Sequence, residues 1–247
     1  TSYLAWKIHG KATTGMSHFL FRPFMTKYTR LDRKTRHAAD MYINVLEQLG
    51  VTDVANHGLH IETSKEWNDE VFRFYKSQGV MPRDKIIGFN IGSAVPEKRW
   101  PAERFADVAD YFGNKGYKTV FFGGPMDLDM VKPVVEQMKT SPIVATGAFK
   151  LGPLAAAMKW CDLLITNDSG PMHVAISQGV PIVALYGPSN PFFYGPYQAK
   201  SIVLESMDHY EIGKSMKQVI KEGKYKGISV ITEEQVIKAA ETLLQES

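Results

Sequence analysis

Residues 165–187 read ITNDSGPMHVAISQGVPIVALYG. An apolar run that begins at Leu163 ends in a tight polar cluster, Asn167 to His173. Helical spacing follows as far as Gly179, and a second apolar run, Pro181 to Tyr186, ends in glycine. Strand, helix and strand in about twenty residues make a crossover unit, because continuously apolar strands belong to a parallel sheet covered on both faces.

The same rhythm runs outward from this stretch. Upstream, KIIGFNIGS, YKTVFFGG, PIVATG and DLLITN read as strands. PAERFADVADYFGNKG, DLDMVKPVVEQMK and LGPLAAAMKWC read as the helices between them, the first with Pro101 in its first turn and Gly116 past its end. Downstream, SIVLES adds a strand and TEEQVIKAAETLLQES a helix opened by Thr232 and two glutamates. The fold class is therefore α/β, with a Rossmann-like, doubly wound parallel sheet over residues 85–247.

Before residue 85 the pattern is weaker. Residues 1–37 read as irregular and basic, with Lys7, Lys11, Arg22, Lys27, Arg30, Arg33, Lys34 and Arg36 set against Asp32. HAADMYINVLEQLGV reads as a helix stopped at Gly50, GLHIETS as a short strand, and KEWNDEVFRFYKSQG as an amphipathic helix ending at Gly79. The chain opens on Thr1 in what reads as the middle of an element, so residues 1–84 are expected to be the tail of a preceding α/β domain. The last helix has the option of packing back on that part.

Composition excludes several classes. A formal charge of +3 over 247 residues does not make a nucleic-acid magnet. One cysteine, Cys161, rules out an internal disulfide framework, suits a reducing cytoplasm, and precedes an apolar run as a buried, inert thiol would. No apolar run of about 20 residues is present to span a membrane. Dinucleotide, P-loop, zinc-hydrolase and serine-elbow patterns are all missing; GSAVPEK after the first strand is not a G-x-G-x-x-G turn.

In doubly wound sheets ligands bind beyond the carboxyl ends of the strands. Four polar loops fall there: NIGSAVPEKRWP, GGPMD, NDSGPMH and YGPSNPFFYGP. Each has a plain structural reading. The Gly-Pro pairs suit turns, Lys98 and Arg99 suit a solvated pair, His173 suits a core histidine, and Asp168 with Ser169 suits a helix cap. Together they also suit an anionic ligand, with Lys98 facing a helix start at Ser169 and Gly170.

GSAVPEKRWPAERFADVAD, FFGGPMD and NDSGPMHVAISQGVPIVALYGPSNP, in that order, resemble glycosyltransferase family 9, the ADP-heptose:lipopolysaccharide heptosyltransferases. The resemblance runs from about Arg30 to the C-terminus. It implies a GT-B arrangement of two Rossmann-like domains, with an ADP-heptose donor on residues 85–247 and a lipid-linked saccharide acceptor on the N-terminal side. It implies that Lys98 meets the donor phosphates and stabilises the leaving group, that Ser93 and Ala94 flank them, and that Asp127 holds the ribose. Phe149 would contact the base, and Asp168, Ser169, Gly170 and His173, with Gly187 and Pro188 beyond the next strand, would complete the donor site. No metal or other cofactor is implied. Neither is a nucleic-acid partner.

The family's general base is an aspartate in a Gly-Asp pair, and no such pair occurs in these 247 residues. The base is thus expected outside them, and the chain alone is expected to bind donor without transfer. A cytoplasmic protein touching the inner face of the membrane fits the basic-aromatic segment Phe19, Phe21, Arg22, Phe24, Lys27, Tyr28 and Arg30, although core aromatics with solvated cations fit it equally. Two other functions remain open: a sugar-nucleotide-binding module without transfer, and a GT-B enzyme of another kind such as a sugar-nucleotide epimerase.

Overall fold

The computed structural model describes residues 2–8, 10–17, 19–30, 36–52, 56–207, 216–223 and 225–246. The chain begins with α1 (Ser2–Lys7), β1 (Thr14–Ser17), a 3-10 turn (Phe19–Phe24), β2 (Lys27–Arg30), α2 (Ala38–Glu47) and α3 (Lys65–Ser77). It continues with β3 (Ile86–Asn90), α4 (Ala102–Asn114), β4 (Lys118–Phe122), α5 (Leu128–Gln137), β5 (Ile143–Val144), α6 (Leu151–Met158) and β6 (Leu163–Asn167). The remainder is α7 (Gly170–Ile176), β7 (Ile182–Tyr186), α8 (Pro191–Tyr194), β8 (Ser201–Glu205), α9 (Met216–Lys221) and α10 (Glu233–Gln245).

Among the described residues, six strands form one all-parallel sheet in the order β5-β4-β3-β6-β7-β8. The order runs outward in both directions from β3 and β6, so the switch point lies between them. Successive side chains on each strand feed opposite faces. Ile86, Val120, Phe122, Leu164, Ile182 and Ala184 meet α3, α6 and α7, whereas Ile87, Phe89, Phe121, Ile165, Val183 and Leu185 meet α4, α5 and α10. Each fully buried aliphatic or phenyl group contributes about 1.5–3 kcal/mol. A sheet buried on both faces is why these strands carry no polar alternation.

Two expectations change. The described part of residues 1–37 is not irregular throughout: β1 and β2 pair in parallel across the 3-10 turn, and four-residue strands are too short to show a period. Residues 58–64 form no strand, and the Ile61 carbonyl accepts instead from the Gln178 side chain. Val236, Ala239, Ala240 and Leu243 of α10 sit in the core beneath α4. The α10 capping box closes between Thr232 and Gln235, with Glu233 and Glu234 in the first turn. Asp32, Arg33 and Lys34 lie outside the described residues.

The sheet's core also reaches back past residue 85. Val71 and Tyr75 of α3 are buried in it, and the Tyr75 hydroxyl donates to the Ala157 carbonyl at 3.1 Å. Within the basic-aromatic segment, Phe24 stands edge-on to Tyr3 and Trp6, and the Arg22 guanidinium lies over Tyr28. None of the helices among the described residues is long and apolar enough to cross a membrane.

Candidate donor-site cleft

The carboxyl ends of β3 and β6 open into a cleft of about 300 Å³. Seven of the predicted residues line it together: Ser93, Ala94, Lys98, Asp168, Ser169, Gly170 and His173. Val95 and Tyr194 complete the wall. Residues 70 positions apart in sequence thus face one another because the strand order reverses at this edge.

The loop after β3 is held at several points, which fixes where Lys98 stands. Arg99 is no solvated partner of Lys98: its Nε donates to the Ser93 carbonyl at 2.8 Å. The Trp100 backbone N–H donates to Asn167 Oδ1 at 3.0 Å, and Asn167 Nδ2 donates to the Ile91 carbonyl at 2.8 Å, so a buried asparagine laces this loop to the end of β6. The Trp100 indole N–H donates to the Ile231 carbonyl, and Tyr225 Oη donates to the Glu97 carbonyl. Buried polar groups satisfied in this way resist displacement, because breaking one strands its partner.

At the centre, Lys98 Nζ lies 2.5 Å from Asp168 Oδ2. Ser189 Oγ donates to the same oxygen. The carboxylate is 6% exposed and the lysine 18%, so the pair is mostly withdrawn from water. Asp168 and Ser169 do not cap α7 as the sequence allows. Asp168 is spent on Lys98 and Ser189, while Ser169 Oγ accepts from Asn90 Nδ2 and donates to the Asn167 carbonyl. No side chain caps the first turn of α7; Pro171 has no N–H and the Met172 N–H donates to the Ser169 carbonyl, so the remaining N–H at the helix start belongs to Gly170, which lines the cleft.

His173 lies on the same wall. Burial pushes its imidazole below the ordinary histidine value, with His37 and Lys98 adding to the depression and Asp168 opposing it. The ring is therefore neutral near pH 7.

Asp127 sits at the same edge, outside the cleft lining. Its Oδ2 accepts from the Gly124 N–H at 2.8 Å, and its carboxylate packs so close over β3 that a Cβ on Gly92 would stand 2.5 Å from Oδ1. Gly187 and Pro188 are buried and lie outside the cleft lining. A Cβ on Gly187 would meet the Glu97 carbonyl at 2.9 Å, so this glycine lets the β7 loop touch the Lys98 loop. Phe149 also lies outside the cleft lining. Its ring packs edge-on against Phe74 of α3, 4.9 Å between centroids, because an apolar partner lies within reach.

Sequence reasoning missed Ser189, Asn90, Tyr194 and His37. His37 caps α2 through Nδ1, stacks on Tyr197 at 4.6 Å, and places Nε2 3.2 Å from the Gly195 carbonyl. Tyr197 in turn hydrogen-bonds Asp40 and Asn56. No local pattern announces such contacts, although the polar loop YGPSNPFFYGP contains both Ser189 and Tyr194.

Comparison with known proteins settles the family. The model of glycosyltransferase family 9 (heptosyltransferase) matches residues 2–226. The chain belongs to glycosyltransferase family 9. The match begins well before Arg30, where the resemblance in the motifs begins. The crystal structure of a family 9 glycosyl transferase from Veillonella parvula DSM 2008 is 80% identical, with a TM-score of 0.94 over all of this chain and 71% of that one. The ADP-heptose lps heptosyltransferase II of Escherichia coli superposes with a TM-score of 0.80 at 24% identity, over 99% of this chain and 73% of that one. Lipopolysaccharide heptosyltransferase 2 of Salmonella typhimurium is 32% identical over 166 residues, 65% of this chain and 47% of the relative. The chain spans about half the length of the curated heptosyltransferases 2 that it matches. The fold is GT-B-type, as the resemblance implies.

Proposed function

We propose that these residues belong to a glycosyltransferase that moves a heptose from ADP-heptose to a lipopolysaccharide core acceptor, with residues 85–247 holding the donor and residues 1–84, apart from α3, belonging to the acceptor side. One observation carries the reading: Lys98, mostly withdrawn from water, faces the uncapped first turn of a helix across a cleft at the switch point. Family membership and the names of the relatives support the donor and the acceptor.

Glycosyl transfer builds positive charge on the sugar and negative charge on the departing diphosphate. A preorganised ammonium and fixed N–H groups stabilise that leaving group, and they do so most effectively where water is excluded. Lys98 and the Gly170 N–H take this role. Ser93 and Ala94 flank the diphosphate, and Asp127 holds the ribose from the neighbouring strand end. Phe149 contacts the base only by leaving Phe74. Gly187 and Pro188 shape the back of the site. Asp168 and neutral His173 bind sugar hydroxyl groups. The protein works at the cytoplasmic face of the membrane, where its lipid-linked acceptor is.

The test uses the whole gene product that carries these residues. ADP release from ADP-heptose is followed with and without a core-oligosaccharide acceptor, with mass analysis of the sugar product. The reading predicts ADP release only with acceptor and one heptose added to it. Isomerised ADP-sugar without acceptor would contradict it.

A further inference from the structure

Two groups of different reach hold Asp168. Oδ2 accepts from Lys98 Nζ and from Ser189 Oγ, whereas Oδ1 has no hydrogen-bond partner among the described residues, and Asp168 lines the cleft. Lys98 ends a four-carbon stem and is the more exposed of the ion pair, so its ammonium has room to turn toward a competing anion. Ser189 has one side-chain torsion, is only 6% exposed, and sits on the loop that Gly187 wedges against the Glu97 carbonyl. It has no such freedom.

A bound diphosphate offers Lys98 more negative charge than one carboxylate does. Asp168 then loses its ion-pair partner and keeps its serine. A carboxylate held by one oxygen presents the other in a fixed direction, which is what a sugar hydroxyl needs from an acceptor group.

We propose that Ser189 is a positioning residue: it holds the Asp168 carboxylate in place when the donor diphosphate draws Lys98 away, so that Oδ1 meets the sugar. The proposal rests on the donor-site reading above. Calorimetry with ADP and with ADP-heptose is run on the unaltered chain, on Ser189→Ala, on Asp168→Ala and on the double variant, with thermal melting to verify folding.

Ser189→Ala is expected to weaken ADP-heptose by about tenfold and to change ADP by less than about twofold, since only the sugar depends on the aspartate. In the Asp168→Ala background the serine substitution is expected to change neither ligand, because a residue that acts through another has no effect without it. Equal losses for ADP and ADP-heptose, an unchanged affinity for both, or a full loss persisting without Asp168 would each overturn the role. If the unaltered chain binds neither ligand, the donor-site reading falls and the role of Ser189 with it. That outcome differs from one in which both ligands bind and Ser189→Ala is silent.

Discussion

Asp110 shows how a single acid supports the fold without touching the cleft. Its carboxylate, on α4, accepts from the Lys139 and Thr140 backbone N–H groups at 2.8 Å each and from the Thr140 hydroxyl at 2.6 Å. Burial pushes its pKa up, but these hydrogen bonds and the Lys139 charge outweigh that and hold it below the ordinary aspartate value. A depressed folded-state pKa adds stability above the unfolded value near 4, and that stability is lost as pH falls through the folded value. Asp110→Ala is expected to lower unfolding free energy by about 1–3 kcal/mol at pH 7. Urea titrations should show the gap between variant and parent closing below about pH 4. A gap independent of pH would mean that packing, not the carboxylate, is at stake. Cys161, on the opposite face of the sheet, is buried, and desolvation drives its thiol far above the ordinary value, as the reading of an inert thiol requires.

At the scale of elements, the strands and helices after residue 85 were legible because each carries its own local signal: an apolar run, a helical period, a proline in the first turn, a glycine past the end. Gly116 and Gly179, for instance, take φ values of +90° and +75° at the stops their sequences announce. What was not legible depends on partners distant in the chain. GLHIETS has the apolar content of a strand but no neighbouring strand, and β1 and β2 exist only because they meet each other. The position of α10 was similarly open until its apolar stripe found α4. Its own start was clearer, since Thr232 and Gln235 exchange side-chain and backbone hydrogen bonds, 2.8 Å from the Thr232 N–H and 3.3 Å from the Gln235 N–H. Thr232→Ala is expected to cost about 1 kcal/mol of stability, read as a lower midpoint in urea with an unchanged slope. A change in slope instead would mean that α10 detaches from the sheet altogether.

For the whole molecule, the order β5-β4-β3-β6-β7-β8 turns scattered motifs into one site. Ser93, Lys98, Asp168 and His173 are predictable as strand-end residues, and the switch point explains why they share a wall. Phe149 packs on Phe74, a contact with a residue far away in sequence that no local pattern announces. Ser189 was overlooked because a serine in a Gly-Pro turn looks like turn chemistry. The central claim is that this shared wall receives a diphosphate through Lys98. Calorimetric titration of the chain and of Lys98→Ala, each with ADP and with adenosine, tests it most directly. Loss of a charge-assisted contact is expected to weaken ADP by about 1.5–3 kcal/mol, roughly ten- to a hundredfold, while adenosine binding stays as it was. Equal losses for both ligands, or no loss for ADP, would contradict the account.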